Sequence, residues 1–268
     1  MNFLELYRKT ILRLIFMVCA VVLLHEAALV PDCFAEKIET PQGTMYKPDA
    51  QGVYPAVVLL HGVAGLNPVL YEIAQSLSEN GYAALVINYY TKGGRSPEFA
   101  RWRLFQSIVG DTVTYLQTLP YVKKHSICIV GYSQGAILAV TSAAGIPDVK
   151  AVVAFYGPNP QGNWFLPQVY NKKENESPYY LNKSIKNLPP IQLHHGNQDS
   201  VAAVTESEEF YKLLKANGKI AEIFIYEGQQ HAFNYPSYAM WFNAAAAKLS
   251  LERTINFFNK YLMQAGKK

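Results

Sequence analysis

Charge is scarce in this chain. Only 16% of the 268 residues are charged, and Lys plus Arg exceed Asp plus Glu by 24 to 20, a net charge of +4 spread along the sequence. So mild a balance does not point to nucleic acid, and none is expected as a partner. Cysteine is scarce too: Cys19, Cys33 and Cys128 make no disulfide framework. Cys128, inside the apolar run SICIV, reads as a small core residue. The longest apolar run, Leu14 to Leu24, has 11 residues, short of the roughly 20 that span a membrane. No repeat or low-complexity linker divides the chain. What is abundant is apolar side chain, 50% of residues, enough for one domain with a sizeable core.

That apolar run follows Arg8, Lys9 and Arg13 and precedes the small-residue site CFA at 33–35. Basic, apolar and small-residue zones in that order are those of a signal peptide, so cleavage after Ala35 and export to a bacterial periplasm or the exterior are expected. The alternative is an uncleaved membrane anchor. Either way, residues 36–268 are expected to form a single domain. A lone thiol at Cys128 agrees with export.

Beyond the leader, buried strands alternate with amphipathic helices. PAVVLLHG, from Pro55, is the first strand expected, bounded by turn residues. A helix follows, with Asn67 as cap, Pro68 in its first turn and Gly81 past its end. YAALVINYY, SICIVGY, VKAVVAFYG, PPIQLHHG and IAEIFIYEG are read as further strands. Helices are expected over Ser96 to Leu119, over QGAILAVTSAAG, over TESEEFYKLLKANG with Thr205 and Glu208 in a capping box, and from Ala244 to Leu262. The alternation predicts an α/β fold, a mainly parallel sheet with helices on both faces and its chemistry at the carboxyl ends of the strands. The segment 157–190 breaks the rhythm, with four prolines ahead of the Pro189–Pro190 pair and Trp164, Phe165, Tyr179 and Tyr180 among polar residues. It is either a lid or a surface insertion with its own small core.

In IVGYSQGAIL, Gly131, Ser133 and Gly135 fall where a strand becomes a helix. Glycines there allow a turn too tight for Cβ atoms, and the turn lifts the serine hydroxyl to a helix N-terminus, where developing negative charge is favoured. A serine hydroxyl needs a base, and the base an orienting carboxylate. Three histidines follow Ser133; His194 and His195 end a buried strand, whereas His231 lies on a loop after the last strand and is the candidate base. Of the two aspartates between, Asp148 precedes a strand, at the opposite sheet edge, and Asp199 follows one, so Asp199 is the candidate orienting group. The oxyanion hole requires two backbone N–H groups, expected from Gln134 and from Val63 in HGVAG. His61 in that loop reads as a structural hydrogen-bonder.

Together, HGVAGLNP, GYSQG, FYG, HGNQDSVAAV and HAF resemble motifs of the dienelactone hydrolase family within the α/β-hydrolases, from about Gly52 to Leu262. The resemblance implies an α/β-hydrolase fold and cleavage of a small-molecule ester or lactone through an acyl-enzyme, with no metal or organic cofactor. Prototype members carry cysteine at the nucleophile, glutamate where Gly62 stands, and arginines for a substrate carboxylate, whose places hold Lys92 and Tyr235. Ser133 therefore points to esterase chemistry, and Lys92 and Tyr235 are candidate substrate contacts, with Lys92 alternatively a solvated loop lysine. Rival readings are an inactive hydrolase-like binding protein of the cell envelope, a small peptidase, or an acyltransferase. Oligomeric state is not legible.

Overall fold

The structure, a computed structural model, describes residues 35–90, 99–157 and 185–263. The leader, Lys92 and nearly all of the 157–190 segment lie outside the described residues. Eight strands form one sheet: β1 (Ala35–Thr40), β2 (Gly43–Pro48), β3 (Tyr54–Leu60), β4 (Ala83–Ile87), β5 (Val122–Tyr132), β6 (Val149–Phe155), β7 (Ile191–Gly196) and β8 (Ala221–Tyr226). Their order is β1-β2-β4-β3-β5-β6-β7-β8. Strands β3 to β8 run parallel, and β2 pairs antiparallel with both β1 and β4. The helices are α1 (Pro68–Glu79), α2 (Phe99–Thr118), α3 (Gln134–Ala143), α4 (Val204–Ala216) and α5 (Ala244–Phe258).

The continuous apolar runs of the central strands are explained by two buried faces. Along β3, Ala56, Val58 and Leu60 join the core under α2, α3 and α4, including Phe105, Leu138 and Phe210. Val57 and Leu59 point the other way, into the core under α1 and α5, with Leu70, Leu77 and Phe258. Cys128, on β5, belongs to this second core and is a free thiol with no exposure.

Helix α1 starts and stops where its residues dictate. The Asn67 side chain accepts from the Val69 N–H at 3.0 Å, Pro68 occupies the first turn, and Gly81 continues at φ 87°. Two expectations are corrected. The sheet opens with the β1–β2 hairpin, twenty residues ahead of Pro55; its polar outer strand β1, with Glu36, Lys37 and Glu39 exposed, forms the sheet edge. The capping box at Thr205 does not form either. Helix α4 begins at Val204 behind Ala203, whose position no side chain caps, because the preceding turn is closed by Asp199 instead.

Candidate active site

Because β3 to β8 are parallel, the loops that follow them emerge at one sheet edge. The elbow after β5 is strained: Ser133 sits at φ 54° and ψ −118°, outside the regions open to most L-residues. A Cβ on Gly131 would lie 2.1 Å from the Gly135 carbonyl oxygen, and one on Gly135 2.4 Å from that of His61. Both glycines are thus required by close backbone approach. The turn is pinned by Ser133 N–H donating to Phe155 O at 2.9 Å.

The three residues singled out in the sequence meet here. His231 Nε2 lies 3.1 Å from Ser133 Oγ, and His231 Nδ1 lies 2.6 Å from Asp199 Oδ2. The other carboxylate oxygen accepts the N–H groups of Val201 and Ala202, each at 2.8 Å. Burial works against the Asp199 charge, but hydrogen bonds from His195 and His231 outweigh it and hold the carboxyl well below its usual range. Tyr156 packs its ring 4.6 Å from that of His231, and its hydroxyl donates to Asn234 at 2.9 Å. Tyr156 and Ala232 also take positive φ, 37° and 54°, so backbone strain gathers around the histidine. Ser133 and His231 each keep 8% exposure.

Val63 and Gln134 flank Ser133. Gln134 opens α3, and a Cβ on Gly62 would stand 3.3 Å from the Ser133 Cβ, so the 61–65 turn is pressed against Ser133. Among the described residues neither the Val63 nor the Gln134 backbone N–H has an acceptor. The His61 ring nitrogens meet Gly62 O at 2.7 Å and Asn88 Oδ1 at 3.2 Å, a structural role. Asp148 lies at the far edge, 3.2 Å from His125.

Tyr235 departs from expectation. Its ring packs against Tyr132 at 5.3 Å, and its hydroxyl is closed off from solvent, so it belongs to the core behind the site. Among the described residues no group of three or more His, Cys, Asp or Glu side chains is placed to hold a metal ion. Sequence reasoning missed His195, whose Nε2 lies 3.2 Å from Asp199 Oδ2 and 2.9 Å from Ala202 O, with Nδ1 2.7 Å from Ser207 Oγ. It also missed Tyr89 and Tyr90, whose hydroxyls meet the Gln134 side chain.

Known proteins resemble this chain along most of its length. A carboxymethylenebutenolidase of Pseudomonas putida is 24% identical over 237 residues, covering 80% of this chain and 89% of its own. The dienelactone hydrolase structure from Anabaena variabilis superposes with a TM-score of 0.65 at 18% identity, covering 85% of this chain and 99% of its own. A hyperthermophilic esterase from Pyrobaculum calidifontis has a TM-score of 0.65 at 20% identity, covering 86% of each chain; at these identities the two structures speak for the fold, an α/β-hydrolase. The model of the dienelactone hydrolase family matches residues 42–262, and with that span of matching sequence around the Ser133 elbow, the chain belongs to the dienelactone hydrolase family.

Proposed function

We propose that this protein is a serine hydrolase of carboxylic esters or lactones, with Ser133 as nucleophile, His231 as general base and Asp199 as the group that orients it. The observation that carries this reading is the unbroken hydrogen-bonded path from Ser133 Oγ through His231 to Asp199 at a helix N-terminus. Family membership and the Pseudomonas putida relative, whose name denotes a butenolide, support an ester or lactone as substrate.

In this mechanism the Ser133 Oγ–H proton passes to His231 Nε2 as Oγ bonds to the carbonyl carbon, and the Val63 and Gln134 N–H groups receive the oxyanion. Collapse breaks the ester C–O bond, and the leaving oxygen takes the proton from His231. Water then attacks the acyl-serine, loses a proton to the same imidazole, and releases acid and free Ser133. An inactive binding protein would have no need of all three groups within hydrogen-bond reach.

Hydrolysis of a short p-nitrophenyl ester by wild type and Ser133→Ala tests this reading, together with fluorophosphonate labelling. Activity and label should both vanish in the variant while its circular dichroism is kept; turnover by Ser133→Ala would overturn the assignment. We propose export as well, supported by the basic, apolar and small-residue order of the N-terminus. N-terminal sequencing of protein recovered from its native host should begin at Glu36.

A further inference from the structure

Two tyrosines at the end of β4 connect the two sides of the oxyanion hole. The Tyr90 hydroxyl meets the Gln134 side-chain amide and lies 3.3 Å from the Val63 carbonyl oxygen. The Tyr89 hydroxyl lies 3.3 Å from the same amide and donates to the His61 carbonyl oxygen at 2.7 Å. Both rings are buried, and that of Tyr89 stacks on His61 at 3.9 Å. Gln134 is therefore attached twice, through two hydroxyls, to the two carbonyls that bracket Gly62.

We infer that Gln134, Tyr89 and Tyr90 form a clamp that sets the Val63 N–H against the nucleophile turn, which makes the two tyrosines positioning residues for oxyanion stabilisation. The inference rests on the hydrolase reading above. Hydrogen counting supports it. With the amide oxygen turned toward both tyrosines, each hydroxyl hydrogen is claimed by two acceptors, the amide oxygen and a main-chain carbonyl. A half-turn of the amide removes the conflict: its NH2 group then donates one hydrogen to each hydroxyl oxygen, and each hydroxyl donates to its carbonyl. In a buried site the arrangement that pairs both hydroxyls and both main-chain carbonyls is favoured.

The clamp couples two elements distant in sequence. One donor is the backbone of Gln134 itself, fixed by α3, and the other sits in the 61–65 turn after β3. An oxyanion needs both aimed at one point, and a misplaced donor weakens the transition state more than the bound substrate. Losing the clamp should therefore lower kcat and leave KM nearly in place.

The test compares wild type, Tyr90→Phe, Tyr89→Phe, Gln134→Leu and the Tyr90→Phe/Gln134→Leu double variant on p-nitrophenyl acetate, with thermal midpoints recorded alongside. Phenylalanine keeps the rings and the stacking on His61. Tyr90→Phe and Gln134→Leu should each lower kcat about 10-fold or more and change KM by less than about 3-fold. The double variant should be no worse than about 3-fold beyond the poorer single one, because both break the same link. Gln134→Glu adds a check that leaves the tyrosines untouched: a carboxylate has no hydrogen to give, so kcat should fall as in Gln134→Leu. Full kcat in Tyr90→Phe or in Gln134→Glu, losses confined to KM, or losses that multiply in the double variant would each overturn the clamp. These outcomes leave the hydrolase reading standing, provided that Ser133→Ala is inactive and wild-type Ser133 takes the fluorophosphonate label.

Discussion

His195 and His231 converge on a single oxygen atom: the Oδ2 of Asp199 lies 3.2 Å from the Nε2 of the first and 2.6 Å from the Nδ1 of the second. Its partner Oδ1 takes two backbone N–H groups. Four donors around one carboxylate closed off from solvent leave no place for an amide hydrogen. Asp199→Asn should therefore turn an NH2 group toward His231 or its neighbours and hold the imidazole in the wrong tautomer. A loss in kcat of about 10⁴-fold is expected, with the fold kept, read from ester hydrolysis and circular dichroism. A loss below about 10-fold would show that Asp199 does not orient the base.

His195 itself faces two acceptors with Nε2, Asp199 Oδ2 and Ala202 O, so that nitrogen carries hydrogen. His195→Leu removes the donor, leaving Ala202 O without it and Asp199 Oδ2 with His231 alone, in a site with no exposure. Destabilisation of about 1–3 kcal/mol is expected, with a fall in kcat as Asp199 loosens. His195→Gln, which retains an N–H, should recover part of both. Urea midpoints and kcat measured together decide it; full activity in His195→Leu would release this histidine from any part in holding Asp199.

The elbow glycines give a prediction about folding. An alanine Cβ at Gly135 would stand 2.4 Å from His61 O and 2.5 Å from Leu60 O, both backbone atoms that cannot step aside cheaply. Gly135→Ala should lose about 2–3 kcal/mol or more of stability and most activity. Gly110→Ala, where nothing lies within 4 Å of the added methyl on α2, should be neutral or stabilising. Thermal melts of the two variants side by side would show the contrast.

Acid should act through His194. Burial is the main cause, with Arg253 assisting, of a fall in its pKa from 6.5 to about 3, and the neutral ring lies 2.7 Å from the Tyr226 hydroxyl and 2.8 Å from Gln192 Oε1. The unfolded chain binds this proton more readily than the folded one. The stabilisation is therefore complete above the unfolded pKa of 6.5 and drains away as pH falls toward about 3. At roughly pH 4.5 the deficit from this group is at most about 3 kcal/mol. In His194→Gln, urea midpoints at neutral pH and roughly pH 4.5 should lie closer together than in wild type; an undiminished gap would move the acid sensitivity elsewhere.

The central strands and the meeting of Ser133, His231 and Asp199 were legible because their patterns are strong: unbroken apolar runs, two glycines about a serine, and one histidine and one aspartate placed after strands. The β1–β2 hairpin escaped because its alternation is short and its outer strand polar. His195 looked like a core residue at the end of a buried strand, and so it is, but its ring edge turns back to the aspartate four residues on. Tyr89 and Tyr90 were likewise absorbed into a strand, since periodicity reports that a ring is buried and says nothing of what its hydroxyl touches. Tyr235 shows the reverse: a motif placed it at the substrate, and packing against Tyr132 drew it into the interior.

Cys128 stands on β5, five residues ahead of Ser133 in the turn that follows it, walled off within the second core. Burial pushes its thiol pKa well up, away from the thiolate form that attacks peroxides. The proposed nucleophile, Ser133 Oγ, is an oxygen, which has no sulfenic or sulfinic state to fall into. With Ser133 as the proposed nucleophile, ester hydrolysis should therefore survive peroxide treatment that stops a relative relying on an active-site thiol.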